Sequence, residues 1–472
     1  GDDDQSIYGW RGAKVENILS FERDFAETET IKLEQNYRSS SNILKAANAV
    51  IAKNADRLGK NLWTDSGEGE PIALYAAFNE HDEARYIADR LAAWISDGNR
   101  RDDAAILYRS NAQSRVLEAA LLQAEIPYRI YGGQRFYERL EIKNALCYLR
   151  MMLNCHDDVA FERVVNVPPR GIGDRTLEQI RELSRESGCS LWDASQRMVE
   201  EKRLTARAAN SVSGFMVLIN EMSGQLDELP LAEQAENAIQ HSGLVEMHRR
   251  EKGERGQARV ENLEELVNAC KNFEPEDSET AVLPQFLDQV ALDAGDRQAD
   301  QDEDAVQLMT LHSAKGLEFP MVFLAGMEEN LFPHKMSIDE PGRLEEERRL
   351  AYVGITRAMQ KLTMTFAETR STYGTESFNS VSRFIRDIPK DVVEEVRLHN
   401  SISRPTTYAG VSNSDEGSET GFQLGQQVRH NVYGDGIILN FEGNGPRARV
   451  QIAFDEVGTK ILILASANLV AI

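Results

Sequence analysis

The sequence predicts a mixed α/β protein: a parallel-sheet domain interrupted by an all-helical insertion and followed by a small β-barrel. Three observations carry this. Strand-like and helix-like stretches alternate over residues 32–133 and again over 305–397, the pattern of a parallel sheet with crossover helices. Between them, residues 134–304 show helical spacing alone. After residue 421, short apolar runs separated by glycine turns replace both patterns.

Residues 15–21 read as a short amphipathic helix, 42–53 as a helix and 72–77 as a strand. Residues 83–96 read as a helix burying Ala84, Ile87, Ala88, Leu91 and Ile95. The run 104–108 is a buried strand, 116–124 a helix with Leu117, Ala120 and Leu121 on one side, and 128–131 a strand ending at Gly132 and Gly133. Within the insertion, 177–183 and 263–267 are helical, and the acidic stretch 274–304 reads mostly as a solvated connection. Beyond it, 306–311 and 321–326 are strands, the second apolar enough to be buried on both faces of a parallel sheet. Residues 344–353 form a helix, acidic first and basic later as the macrodipole favours, and 362–366 an alternating strand. Residues 398–421 are rich in Ser, Thr, Asn and Gly and read as a flexible linker. In 422–472, a turn at 433–436 and runs at 437–439, 450–454 and 461–464 predict the barrel.

A chain of 472 residues implies roughly three domains. No apolar run is long enough to cross a bilayer, and the N-terminus has no signal-peptide pattern. Cys147, Cys155, Cys189 and Cys270 show no CxxC pairing, so the simplest setting is a reducing cytosol without metal or redox roles. The net charge of −24 opposes a generic nucleic-acid binder. A groove that grips a few nucleotides by stacking and a local basic lining escapes that objection.

Four polar stretches stand out: GDDDQSIYGWRGA at 1–13, LEQNYRSS at 33–40, TLHSAKGLEF at 310–319 and EEERRLAYVGITRA at 345–358. Polar residues at the ends of parallel strands are where α/β folds bind ligands, and Arg357, just past a glycine, is placed to meet a phosphate. A solvated surface arginine is the bland alternative. Tyr8, Trp10 and Arg11 crowd one short loop, a combination suited to stacking bases and touching phosphates on a single strand. A tryptophan packed at a domain edge competes with that reading. In Pro168-Pro169-Arg170-Gly171-Ile172-Gly173, two glycines before a helix can bring backbone N–H groups up to a phosphate; a plain tight turn is the alternative. No GxxxxGK[ST] occurs in the chain, since Lys315 precedes its glycine and Lys14 follows Gly12 and Ala13. The run Asp2-Asp3-Asp4 is not adopted as a metal site, and no metal ligands are assigned.

In their order, the four stretches resemble motifs III, IV, V and VI of superfamily 1 DNA helicases, and specifically the UvrD/Rep/PcrA group. The resemblance covers nearly the whole chain apart from the linker. It implies a tail of the first RecA-like domain (1A) at 1–31 and a second RecA-like domain (2A) at 32–133 and 305–397. The inserted helical domain (2B) then occupies 134–304, and a Tudor-like module, which in the family contacts RNA polymerase, follows the linker at 422–472. Further implications are ATP-driven 3′→5′ unwinding of DNA in repair and replication, ATP and Mg2+ as cofactors, and a cytoplasmic, nucleoid-associated setting. Single-stranded DNA, single-strand/double-strand junctions and repair proteins are the implied partners, with no membrane. Arg38 and Arg357 match the two arginines that meet the γ-phosphate, and Gln5 the glutamine that senses it. Tyr37 matches the tyrosine stacked on adenine, in place of the half-buried core role usual for tyrosine. Glu318 matches a residue near the ribose. His312 matches a histidine near the DNA, and Gly171 and Gly173 resemble the family's GIG loop. Tyr373, in the turn 372–374, is the candidate for the pin on which the first base pair breaks. The family's Walker A lysine and DExx pair precede motif III, so the chain is expected to be a C-terminal portion. By itself it should hydrolyse little ATP and leave the metal mainly to residues outside it. Two rivals are a non-catalytic module binding DNA and RNA polymerase, and a RecB-like helicase–nuclease, for whose nuclease domain the linker and barrel leave no room.

Overall fold

The computed structural model describes residues 2–396 apart from 10–11, 26, 56, 252–253, 276, 278–279, 296–302, 339, 341 and 373–374. It also describes 427–430, 434–442, 449–454, 458–463 and 469–471. Two compact units divide at residue 397.

In the first unit, seven strands form one sheet: β1 (Ile72–Ala77), β2 (Ala104–Tyr108), β3 (Tyr128–Ile130), β4 (Val306–Thr310), β5 (Phe319–Leu324), β6 (Ala358–Ala367) and β9 (Val393–Glu395). Their order is β3-β4-β2-β5-β6-β1-β9, and each neighbouring pair is parallel. Two short strands, β7 (Thr369–Thr372) and β8 (Thr375–Phe378), form a separate antiparallel hairpin just after β6. Strand alternation sorts the core. Ala105, Leu107, Val322 and Leu324 face the helices Ser41–Ile51 and Arg343–Ile355. Ala104, Ile106, Tyr108, Met321 and Phe323 face the helices Glu80–Ser96 and Ser114–Gln123. The central strand β2 is buried along its whole length, which is why its sequence is apolar without alternation. Helix Arg343–Ile355 packs closely because of Gly354, where a Cβ would come within 2.5 Å of Leu311 Cδ2.

Between β3 and β4 the chain leaves the sheet for a set of helices between Leu140 and Gly295. They share their own core, which includes Tyr148, Phe161, Phe215, Leu263 and Phe286. Here the reading of 274–304 as a solvated connection needs correction. Helix Val282–Gly295 buries Leu283, Phe286 and Val290 in that core, and the Phe286 ring meets Phe273 edge-on at 5.4 Å. The acidic residues flanking this helix masked an i, i+3, i+7 apolar face.

The second unit is a five-stranded antiparallel sheet of β10 (Gln427–His430), β11 (Gly434–Glu442), β12 (Arg449–Phe454), β13 (Gly458–Ile463) and β14 (Val470–Ala471), in the order β13-β12-β11-β10-β14. Val428, Val450, Ile452 and Phe454 form its core. The turn expected at 433–436 falls partly inside β11, whose Asp435 and Gly436 pair with Arg429 and Val428. The linker expected at 398–421 lies outside the described residues. Among the described residues, no helix is long and apolar enough to cross a membrane, and no disulfide joins the four cysteines.

Candidate functional site

Two groups of side chains flank the sheet. The first gathers at the amino ends of β5 and β6. The segment before helix Ser41–Ile51 is pinned there by Ser39 Oγ, which donates to the Ala358 carbonyl at 2.6 Å, and by the Ser40 N–H, which donates to Met359 at 3.1 Å. Asn36 Oδ1 accepts the N–H groups of Arg38 (2.8 Å) and Ser39 (2.9 Å), a side-chain turn that presents Arg38. Arg38 Nε donates to Glu318 Oε2 at 2.5 Å, and its Nη1 to the Thr356 carbonyl at 3.2 Å. Arg357 approaches the same threonine from inside: its Nη2 donates to Thr356 Oγ1 at 3.2 Å, its Nε to Val353 O at 3.0 Å and its Nη1 to Leu317 O at 2.9 Å. Thr356 therefore holds both guanidinium groups. Arg357 is only 1% exposed; burial and then repulsion from Arg38 pull its pKa down to about 10, so it remains cationic at neutral pH. Beside this pair the Tyr37 ring is 80% exposed, its hydroxyl donating to Gln35 Oε1 at 2.8 Å. The half-exposed Trp63 is adjacent, its carbonyl accepting the Asn36 N–H at 2.7 Å.

This edge corrects one argument from sequence. α/β folds hold their own ligands at the carboxyl ends of the strands. Arg38, Glu318 and Arg357 instead lie before β5 and β6, at the opposite edge.

The second group follows β4 at its carboxyl end. His312 lies there, and its carbonyl accepts the Tyr8 hydroxyl at 3.2 Å. Lys315 Nζ donates to the Gln5 carbonyl at 2.8 Å and stands 5.2 Å over the Tyr8 ring. The Gly9 N–H donates to Glu346 Oε1 at 2.8 Å, and Ile7 is fully buried in the sheet core. The N-terminal stretch is thus docked onto the loop between β4 and β5. That loop, residues 311–318, runs from the carboxyl end of one strand to the amino end of the other, with His312 near its start and Glu318 at its finish. A cavity of about 150 Å³ opens beside it, lined by Gly9, His312, Ser337, Arg343, Glu346 and Leu350 among others.

The Gln5 amide is turned toward Asp2 Oδ2 at 2.7 Å. The carboxylates of Asp2, Asp3 and Asp4 crowd within 4.8 Å of one another, yet each is engaged. Arg57 donates twice to Asp4 (2.9 and 2.6 Å), the Leu58 N–H donates to Asp3 (2.8 Å), and Lys60 pairs with Asp2 (2.5 Å). Their chemistry is that of an anchor for the segment 57–60, and it does not fit a divalent cation. Gly171 and Gly173 lie in the helical insertion, apart from both groups. Gly171 has φ +77°, Gly173 precedes helix Asp174–Ser187, and a Cβ at either would meet nothing within 4 Å. Arg170 fixes this loop from behind, donating to the carbonyls of Val164, Pro168 and Ser242. Trp10, Arg11 and Tyr373 lie outside the described residues.

Sequence reasoning missed Thr356, Lys315 and Asn36 as organisers of these sites. All three stood inside the motifs already singled out, but each acts through its backbone or as a bridge, which residue type alone does not reveal.

Residues 31–369 match the family model of the UvrD-like helicase C-terminal domain. The chain belongs to the UvrD-like helicase family. Residues 1–26 match the UvrD/REP helicase N-terminal domain, and 424–468 the PcrA/UvrD tudor domain. This UvrD-like chain is 57% identical over 471 residues to DNA helicase II of Escherichia coli (strain K12), covering 99% of itself and 65% of that protein. It is 44% identical over 490 residues to the ATP-dependent DNA helicase PcrA of Bacillus subtilis (strain 168), covering 99% of itself and 66% of that protein. The chain thus spans about two thirds of the length of these relatives.

Proposed function

We propose that this chain is the C-terminal part of an ATP-dependent DNA helicase that moves 3′→5′ along one strand, and that its amino edge completes a nucleotide site begun by another domain. The observation that carries this is the pair of guanidinium groups held on Thr356, with Glu318 as the carboxylate bonded to Arg38. Two like charges this close repel, and an anion relieves the repulsion. The planar forks suit phosphate oxygens. An exposed aromatic ring at Tyr37 suits a base. Residues that accept a polyphosphate and a base together fit ATP, which when bound supplies the phosphoryl group whose transfer to water drives the motor. Arg38 and Arg357 would neutralise charge on the γ-phosphate, Tyr37 would stack on adenine, Glu318 would lie near the ribose, and Gln5 would relay the state of the phosphate to Tyr8. No metal-holding residue is proposed in this chain, and no step is drawn through Mg2+.

At the opposite edge, Tyr8 and His312 would meet single-stranded DNA; Trp10, Arg11 and Tyr373 are proposed for the same strand, with Gly171 and Gly173 touching duplex phosphates at the junction. Residues 422–472 would bind RNA polymerase, and repair proteins are the other partners of a cytoplasmic, nucleoid-associated enzyme. The test is Arg38→Ala in the full-length helicase. DNA-stimulated ATP turnover should fall by roughly 10³-fold while single-strand affinity measured without nucleotide persists. Undiminished turnover would remove this edge from the nucleotide site.

A further inference from the structure

An isolated two-stranded hairpin is marginal in water, and among the described residues β7–β8 has no strand partner in the main sheet. Beyond the bond from the Thr369 N–H to the Phe78 carbonyl at 3.0 Å, its stance depends on side chains. On one side, Arg370 is clamped between two buried carboxylates, donating to Glu83 Oε2 at 2.6 Å and to Glu328 Oε1 at 2.5 Å. Glu83 also accepts the Gly326 N–H (2.8 Å) and the Thr365 hydroxyl (2.6 Å), and Glu328 the Ala367 N–H (2.7 Å) and the Asn379 amide (2.9 Å). These groups root the hairpin in the sheet domain.

On the other side, the next residue reaches the helical insertion. The Ser371 N–H donates to Glu80 at 3.2 Å, while its carbonyl accepts from Asn268 Nδ2 at 3.0 Å. Asn268, on helix Glu254–Lys271, also donates to Glu265 Oε2 at 3.0 Å, and Arg115 of the sheet domain donates to Glu265 Oε1 at 2.6 Å. A continuous polar chain therefore runs from Arg115 through Glu265 and Asn268 to the backbone of β7.

We infer that Arg370 and Asn268 are positioning residues that hold the β7–β8 hairpin to the sheet domain and to the helical insertion respectively, so that the stance of the hairpin follows the orientation of the insertion. This rests on the helicase reading above, in which Tyr373 is the pin at the junction. Loss of the Asn268–Ser371 bonds would release one side of the hairpin, while Arg370 keeps its root in place.

The experiment compares Asn268→Ala and Asn268→Asp in the full-length helicase, the second keeping the shape and the Oδ1 acceptor but losing the Nδ2 donor. Amide exchange over 369–378 should quicken about fivefold in both, with β4, β5 and β6 unchanged. Duplex unwinding should fall at least threefold, roughly, while single-strand-stimulated ATP turnover stays within about twofold, a split that general loss of structure would not produce. Unchanged exchange in the hairpin, or a parallel fall in unwinding and turnover, would overturn the inference. Tyr373→Ala serves as the separate arm: if unwinding is untouched there, the pin reading fails, and the exchange result still decides the clamp.

Discussion

Thr356 shows how much chemistry one residue can organise. Its carbonyl holds Arg38 and its hydroxyl holds Arg357. Thr356→Val keeps the volume but removes the hydroxyl, leaving one Arg357 donor unpaired in the interior; the chain should lose about 1–3 kcal/mol in chemical denaturation. Arg357→Ala in the full-length helicase should reduce ATP turnover by roughly 10³-fold in a steady-state assay. Glu264 is a different case. Its Oε1 is buried without a partner, and burial, then repulsion from Glu261, raises its pKa to about 7. The folded chain therefore binds a proton there that the unfolded chain gives up near the ordinary carboxylate range, so stability falls as pH rises toward 7 and stays lowered above it. Glu264→Gln should be more stable than the parent by about 1–2 kcal/mol at pH 8 and nearly equal to it at pH 4, as followed by thermal melting. The motifs singled out Arg38, Tyr37 and Arg357, and the structure brings them to one edge. The inward turn of Arg357 could not be read there, because it depends on the Leu317 carbonyl brought in by tertiary packing.

At the level of elements, the strands and the helices that cover them could be read from spacing, and the departures have local causes. Helix Glu80–Ser96 begins three residues before the expected start because the Asn79 side chain caps the Asp82 N–H. Its acids Glu80 and Glu83 are buried against the hairpin, which helical spacing alone does not indicate. Helix Val282–Gly295 was hidden by its acidic neighbours in the same way. Phe286→Ala should cost about 3–5 kcal/mol in denaturant unfolding, since the ring is 2% exposed and packs on Phe273. Gly354→Ala should cost about 1–3 kcal/mol through its clash with Leu311, and adding Leu311→Ala should recover part of that loss in a double-mutant cycle.

Across the molecule, the sheet domain and the helical insertion keep separate apolar cores and meet through polar contacts. Arg109 pairs with Glu254 at 3.6 Å, Ser110 Oγ donates to Glu261 at 2.6 Å, and His334 lies 3.0 Å from Glu261. Burial opposes the ionisation of Glu261, but these donors prevail and hold it below the ordinary carboxylate range. Its contribution is present above the unfolded carboxylate pKa and is lost as pH falls through the depressed folded value. Between pH 5 and pH 3, hydrogen exchange at this junction should therefore quicken before exchange in β2 or β5 does. The net charge of −24 gave no hint of such a junction, because composition does not record which charges meet.

Residues 311–318 join two parallel strands with eight residues, where such links usually take a dozen or more. A tether that short has no slack, so on the proposed reading a displacement of DNA at His312 would be felt at Glu318, and from there at Arg38. On that reading, lengthening it by a single inserted glycine after Gly316 would leave each end chemically complete while uncoupling the two edges.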